Sequence, residues 1–514
     1  MSSGGNTGDR LKPVTAASAR LSVAGVEVSP DHFIGGERVA SEHTFTDVSP
    51  IDEQPLGEIA RGGQREADLA VAAATEAFPA WAALGAAGRA VYLHRLADLI
   101  DANVERLAPV ECVDMAMLLR SLKARLINRG ARNYRSYADL AVAYEERVWE
   151  SNGTHNRVIR MPSGPAVVIT PWNAPFMLST WKTAPALAAG STMILKPAEW
   201  SPLSCSLLAD LVDEAGFPPG VFNIVQGIGE EIGAALVAHP SVRRISFTGS
   251  PETARHIGVA AAKNIVPFTG ELGGKGPLLV FADCDLEAAA RKAAGQFDDA
   301  GQVCLAGTRI LVQESIAEPF LELFHRFADE NVLGDPRDDS TTVTPLIHRE
   351  HFDRVAGFVE RARESGDEIV RGGHPAERGG LFYEPTLVIP RSNESEIVQR
   401  EVFGPVLTVQ TFSGEDEAIA LANSTPYGLS AILYTGSAER AERVGRAIRA
   451  GTVWVNTFLV RDLTAPFGGI GISGIGREGG DFALDFYSDL KTLQIADGTT
   501  VSGLPRSAHT PWTS

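Results

Sequence analysis

Four cysteines occur in the chain: Cys112, Cys205, Cys284 and Cys304. No two form a CxxC pair, and their spacing suggests no disulfide framework. Cys112, Cys205 and Cys284 read as reduced, structural thiols. Cys304 ends the run Gly301-Gln302-Val303-Cys304 behind a helical stretch that opens near Asp285. A thiol placed there could attack a carbonyl. At an unperturbed pKa of about 8.5 only a few per cent of it is ionised near neutral pH, so the attack needs a base or donors close by. The alkoxide that forms needs a hydrogen-bond donor, and a later hydrolysis needs a base for water.

Two segments could cradle a phosphate. Gly227-Ile228-Gly229-Glu230-Glu231-Ile232-Gly233 lacks the full GxGxxG spacing and is a weak signal. RISFTGSPETARHIG (244–258) is better: a strand runs into Thr248-Gly249-Ser250, Ser250 can cap a helix, and Pro251 suits its first position. Free amides at that helix start favour an anion, although a plain strand-to-helix turn reads the same way. His348 and His351 form HxxH on a polar helix without the acidic partner of a metalloprotease, so both are expected to be solvated, and no metal site is expected.

The elements that must position these residues alternate. Short β-branched runs at 166–170, 192–196, 222–226, 244–248, 277–281, 308–312 and 452–456 predict strands. Alanine-rich amphipathic stretches at 65–81, 87–119, 202–215, 229–238, 285–300 and 415–422 predict helices. Such alternation argues for parallel sheets with right-handed crossovers. Residues 141–162 instead read as two strands around an Asn152-Gly153 turn, with a matching strand at 491–495. These strands suit pairing with another subunit, and equally a surface hairpin on a monomer.

The chain has 514 residues, 44% hydrophobic and 21% charged, with a net charge of −18. That composition is globular and supports two to four domains. The acidic balance disfavours nucleic acid and anionic membrane surfaces as partners. No apolar run approaches a bilayer span, and the polar N-terminal stretch lacks the core of a signal peptide, so a cytoplasmic location is expected.

Seven segments, in order, resemble the signature segments of the aldehyde dehydrogenase superfamily: TPWN (170–173), KPAE (196–199), FTGS (247–250), GELGGK (270–275), GQVCLAGTR (301–309), EVFGPV (401–406), and PFGG with SGIGREGG (466–480). The resemblance runs from about residue 33 to about 495. It implies an α/β fold with a Rossmann-like cofactor domain, an α/β catalytic domain and a small β extension for oligomerisation. The implied boundaries are a flexible arm at 1–25, a cofactor domain at 26–140 and 160–270 completed by about 470–485, oligomerisation strands at 141–159 and 486–500, a catalytic domain at 271–469, and a flexible tail at 501–514. A homodimer or homotetramer is implied.

The implied activity is NAD-dependent oxidation of an aldehyde to an acid. In that resemblance Cys304 is the nucleophile that forms a thiohemiacetal, and Asn173 with the Cys304 amide is the oxyanion hole. Glu271 is the base for water, and Lys182 and Glu478 relay its proton. Lys196 and Glu199 bind the adenosine ribose of NAD, and Gly249 and Ser250 form the pyrophosphate turn. Glu401 and Phe403 hold the nicotinamide ribose and ring. Thr170, Pro171, Trp172, Gly229, Gly233, Phe247, Thr248 and Leu272 complete the cofactor site. Acylating relatives that use coenzyme A lack the glutamate, and an idle protein on this fold would lose the cysteine or the glutamate.

Three departures stand out. Gly276 replaces the usual Asn or Ser, Asp299 replaces a frequent Asn, and Met115-Ala116-Met117 replaces a small-glycine-lysine run near the substrate tunnel. The segment 457–465 falls where the family has a loop over the substrate entrance. Its Arg461-Asp462-Leu463 resembles the RDL or REL of dehydrogenases for 2-hydroxymuconic, carboxymethyl-hydroxymuconic and aminomuconic semialdehydes. Arg461 is therefore expected to grip a remote substrate carboxylate. Arg120 or Lys123 could add a second positive contact. The alternatives are that Arg461 pairs with Asp462 or another surface acid, and that the aldehyde is betaine aldehyde, succinate semialdehyde or a broad range.

Overall fold

A computed structural model describes residues 17–496 of the chain. The tail expected at 501–514 and residues 1–16 of the expected arm lie outside the described residues. The rest of that arm is not free. The Ser18 amide donates to Asp31 at 2.7 Å, and Leu21–Val23 pairs antiparallel with Val26–Val28. Alternating Leu21, Val23, Val26 and Val28 pack into the core and tie the segment down.

Two parallel-centred sheets carry the molecule. The first has eight strands in the order Gly474–Ile475, Phe268–Leu272, Arg244–Gly249, Ala166–Ile169, Met193–Lys196, Phe222–Ile224, His32–Ile34, Glu37–Val39. From Phe268–Leu272 to Phe222–Ile224 the pairs are parallel, and the outer pairs are antiparallel. Its central strands are short apolar runs such as Met193–Lys196, buried throughout, as helices on both faces require. The second sheet has seven strands in the order Glu368–Arg371, Thr386–Ile389, Val406–Phe412, Arg309–Gln313, Pro277–Val280, Ser430–Tyr434, Thr452–Val455. Only its Glu368–Arg371 edge is antiparallel.

The sheets meet end to end. Residues 273–276 alone separate Phe268–Leu272 in the first from Pro277–Val280 in the second. The first sheet therefore extends one residue past the expected start of the catalytic part at 271. It presents the carboxyl ends of its strands to the junction, where ligands of open α/β sheets bind. The second presents the amino ends: Cys304 lies ahead of Arg309–Gln313, and Glu401 and Phe403 lie ahead of Val406–Phe412. Gly474–Ile475 returns to the first sheet beside Glu271.

The third sheet joins Arg147–Ser151, Thr154–Pro162 and Ser488–Ala496. Asn152 (φ 52°) and Gly153 (φ 70°) make its tight turn, which needs positive φ at both positions. The helix Ile127–Ala143 covers the start of the segment expected as strand from 141, and the second strand ends at Pro162, where the 141–162 reading ends.

The helix expected across 87–119 is broken. Gly85–Ala102 ends at Asn103, Val104–Met115 follows, and Ala116 at φ 59° ends that piece in the left-handed region. Ala116 stands where the resembled families place glycine, and a Cβ in that conformation costs about 1 kcal/mol. The helix expected at 285–300 stops at Ala294. Three successive residues with positive φ, Asp299, Ala300 and Gly301, then lead into the Cys304 loop. No single helix among the described residues is long and apolar enough to cross a membrane.

Candidate active site

Cys304 lies half-buried at the junction of the two sheets. Its loop is fixed from several sides. Gln302 accepts from the Ile347 amide at 3.0 Å, and its own carbonyl accepts from Asn173 Nδ2 at 3.0 Å. Asn173 follows Ala166–Ile169 and precedes the helix Pro175–Ala189, so sheet and helix together hold its amide against the cysteine loop. An amide nitrogen carries two hydrogens, which leaves one N–H for an oxyanion beside the sulfur.

Glycines set how closely these parts approach. A Cβ on Gly274 would lie 2.4 Å from the Cys304 carbonyl oxygen, and one on Gly273 would lie 2.0 Å from a Glu401 carboxylate oxygen. The Gly274 amide donates to Glu401 at 2.7 Å. Gly276, the departure beside them, is equally confined: a Cβ there would sit 3.0 Å from the Ala306 carbonyl and 3.1 Å from that of Ser430. Gly301 (φ 64°) packs on the Gly404 carbonyl, which a Cβ would meet at 2.4 Å.

Glu271 is buried in Phe268–Leu272, and neither carboxylate oxygen has a hydrogen-bond partner in the protein. Burial, then the Glu478 charge, raises it well above the usual carboxylate range, against Lys182, Arg461 and Arg477. Burial, then the Glu401 and Glu271 charges, pushes the Cys304 thiol up to about 12, against Arg461. Burial likewise lifts Glu401 to about 7, against the Gly274 amide, Lys275 and Arg354. Burial and the neighbouring charges thus disfavour the ionised forms of both the thiol and Glu271, and a donor or cation brought to the sulfur favours its thiolate.

Behind Glu271 the buried Lys182 ammonium pairs with Glu478 and donates to Ser246 Oγ at 3.0 Å. Trp181 Nε1 donates to the other Glu478 oxygen at 2.6 Å. Lys182 and Glu478 thus stand together, but neither bonds directly to Glu271.

The dinucleotide residues fall into three groups. Lys196 pairs with Glu199 at 2.7 Å, and the Gly229 amide donates to Glu199 at 3.4 Å. Burial pushes Glu199 up, yet Lys196 and the Gly229 amide hold it below the usual range. Gly233 closes the turn Gly229–Gly233 and makes no hydrogen bond to that pair. At the end of Arg244–Gly249, Ser250 caps the helix Pro251–Lys263 by accepting from the Thr253 amide at 3.0 Å. A Cβ on Gly249 would strike the Phe247 ring at 2.4 Å, and the buried Thr248 hydroxyl has no partner. Thr170 is buried and bonds Ser179 at 3.0 Å, and Pro171 leads to Trp172. Trp172 packs edge-on against Phe403 at 5.3 Å. Phe403 is held at φ 60°, two residues beyond Glu401, while Leu272 ends the strand that carries Glu271. An orphaned hydroxyl, a capped helix start and a held carboxylate on the carboxyl edge of one sheet fit a dinucleotide.

Arg461 stands at the same centre. Its guanidinium lies 3.6 Å from the Phe467 ring centroid and 5.3 Å from that of Trp181. Among the described residues it forms no ion pair. Asp462, its alternative partner, accepts instead from Thr464. Arg120 and Lys123 are not with it: Arg120 donates to the Asp339 carbonyl, and Lys123 pairs with Glu105. The second cation is Arg129, on Ile127–Ala143, with its guanidinium 5.6 Å from the Trp181 ring. Burial, then the Arg461 and Arg132 charges, lowers it to about 10. Sequence reasoning missed Arg129 because it belongs to an ordinary polar stripe, and only the helix packing brings it to Arg461.

His351 also differs from expectation. It is buried rather than solvated, and its Nε2 donates to the Phe403 carbonyl at 2.7 Å. Its helix begins at His348, which turns the ring inward onto the Trp172 and Phe403 rings.

Residues 38–493 match the model of the aldehyde dehydrogenase family. The 2-hydroxymuconic semialdehyde dehydrogenase of Pseudomonas sp. (strain CF600) is 40% identical over 480 residues, 90% of this chain and 99% of that one. The 5-carboxymethyl-2-hydroxymuconate semialdehyde dehydrogenase of Escherichia coli is 39% identical over 462 residues, 88% of this chain and 98% of that one. The solved structure of betaine aldehyde dehydrogenase from Staphylococcus aureus in complex with NAD+ superposes with a TM-score of 0.89 at 35% identity, covering 93% of this chain and 97% of that one.

The electrostatics give a test that needs no substrate. Arg461 favours the Cys304 thiolate, so Arg461→Ala should raise the thiol's pKa further and slow its alkylation by iodoacetamide at pH 8 by roughly 2- to 5-fold. An unchanged or faster rate, followed by mass spectrometry at Cys304, would place Arg461 away from the sulfur.

Proposed function

The chain belongs to the aldehyde dehydrogenase family, and from that premise we propose that it oxidises a semialdehyde carrying a second, ionised carboxylate, of the 2-hydroxymuconic type, through a thioester on Cys304. NAD-dependent aldehyde oxidation is the common ground of the family match and the NAD+-bound neighbour. The observation that carries the finer reading is the pair Arg461 and Arg129, two guanidiniums against one tryptophan, neither in an ion pair among the described residues. The Arg461 charge disfavours the charged form of Arg129, and an anion brought to the two would relieve that repulsion. A planar carboxylate is the ligand that a guanidinium grips best. The name of the 40%-identical Pseudomonas relative points to the same substrate class.

In the proposed reaction Cys304 gives up its thiol proton to solvent and adds as the thiolate to the aldehyde carbon; the carbonyl π pair moves to oxygen, and the new alkoxide takes hydrogen bonds from Asn173 Nδ2 and the Cys304 amide. Glu199, Glu401 and Phe403 would hold NAD, which would supply the acceptor for the hydride that leaves this carbon. The residue left on sulfur is a thioester. Glu271, as its carboxylate, removes a proton from water as the water oxygen adds to the thioester carbon, and collapse releases the acid and the thiolate. Burial raises this carboxyl well above the usual carboxylate range, which strengthens it as a base. Lys182 and Glu478 lie behind it as the candidate route for the proton. The open edges of the third sheet, with Leu490 58% exposed, support pairing with further copies of the chain.

Cys304→Ala should abolish oxidation, while alanine at Cys112, Cys205 or Cys284 costs stability at most. Glu271→Gln should keep a single-turnover burst of NADH and lose the steady rate; an unchanged steady rate would remove Glu271 from hydrolysis.

A 2′-phosphate would lie against the Glu199 carboxylate, so NAD should give the higher kcat/KM. A higher value for NADP would refute this assignment of Glu199.

On a carboxylated semialdehyde, Arg461→Ala should lower kcat/KM by about 10- to 150-fold, the loss of one charge-assisted bidentate contact of roughly 1.5–3 kcal/mol. Arg129→Ala should act in the same direction, and a neutral aldehyde of equal length should feel neither change. Equal losses on both substrates would leave the arginines as scaffolding, the reading that the close Arg461–Phe467 contact favours.

A further inference from the structure

The Trp200 and His348 rings stack 4.0 Å apart at an interplanar angle of 21°. Trp200 follows Glu199 directly and belongs to the first sheet's edge of the cleft. His348 belongs to the second lobe, where it caps the helix Arg349–Glu364 and accepts from the His351 amide at 3.1 Å. His351 in turn holds the Phe403 carbonyl at 2.7 Å. One ring contact therefore joins the residue beside Glu199 to the backbone of Phe403.

Trp200 is 41% exposed, a large apolar ring that the fold does not bury. Burial lowers His348 to about 4, against the Glu199 charge, so near neutral pH the stack is one of two uncharged rings. Glu199 acts on His348, and His351 lies beside it with the Arg354 charge acting on His351.

We propose that the Trp200–His348 stack is a clasp across the cofactor cleft, which couples the half that holds the adenosine ribose to the half that holds the nicotinamide. The proposal rests on the reading that NAD lies from Glu199 to Phe403. Trp200 and His348 are positioning residues in it. A ligand that spans both halves needs them held at one separation. A ligand that fills the adenosine half alone does not. Opening the clasp frees the nicotinamide half, whose place the hydrolytic water must reach.

Calorimetric titration of the full chain with NAD and with AMP tests this. Trp200→Leu removes the ring and keeps bulk, and should weaken NAD by roughly 3- to 10-fold, the worth of one aromatic pair, while AMP changes less than about 2-fold. Trp200→Phe keeps a ring and should bind NAD close to wild type. His348→Leu should reproduce Trp200→Leu from the other side. Equal weakening of NAD and AMP would make Trp200 a local adenosine contact, and no change in either would make the stack surface packing; both overturn the clasp. Failure of the wild-type chain to bind NAD would instead overturn the cofactor reading beneath it.

Discussion

The junction of the two sheets depends on the missing side chains of Gly273 and Gly274. A single Cβ on either would drive into the Glu401 carboxylate or the Cys304 carbonyl. Because both are bare, the backbone after Glu271 passes within hydrogen-bonding distance of Glu401 and in contact with the nucleophile loop. Residues from three distant stretches thus share one centre. The buried Arg309 guanidinium secures the exit from the link by donating to the Lys275, Leu421 and Ala422 carbonyls at 3.0, 2.8 and 2.7 Å. The amino-end approach of the second sheet and the carboxyl-end approach of the first both follow from this short connection.

Close packing has an electrostatic consequence. Three acids and a thiol lie near one another at this junction, where the Glu478 charge opposes ionisation of Glu271 and the Glu401 and Glu271 charges oppose that of Cys304. The protein does not relieve this by pairing every group. Glu271 has no partner, whereas Glu478 is fully engaged by Lys182 and Trp181. An unpartnered buried acid is costly to stability and is spared that cost by holding its proton. The balance is poised: an incoming cation or donor near the sulfur shifts it towards the thiolate, and departure of that ligand leaves Glu271 free to ionise. In a strongly acidic chain, at −18, Arg461 and Arg129 both lie against Trp181 at this point, and neither forms an ion pair among the described residues.

Much of this was legible in the sequence where the physics is local. The strand runs 166–170, 192–196 and 277–281 appear within a residue or two, because continuous β-branched runs bounded by turn residues suit buried parallel strands. Asn152-Gly153 forms the expected turn. The helix Pro175–Ala189 gave no helical period because it is buried nearly all round, and it carries both Trp181 and Lys182. The 87–119 stretch read as one helix because its apolar period continues across Asn103. His351 read as solvated because its neighbours in sequence are polar, while its neighbours in space are Trp172 and Phe403. Arg129 was invisible for the same reason. Side chains whose meaning depends on packing between lobes leave no signature along the chain.

The departures from the resembled families are also intelligible only in space. Asp299 at φ 51° occupies a conformation that Asp and Asn tolerate best. Burial raises its carboxyl, and the Leu118 backbone N–H lowers it by hydrogen bonding. Leu118 directly follows Met115-Ala116-Met117, the altered run. Two departures that lie far apart in sequence therefore adjoin: Asp299, on the approach to Cys304, meets the residue directly after the altered run. Asparagine could offer that amide one neutral oxygen, whereas aspartate offers a carboxylate that strengthens as it ionises. The Asp at 299 and the Ala at 116 thus bear on neighbouring backbone, outside the catalytic residues themselves.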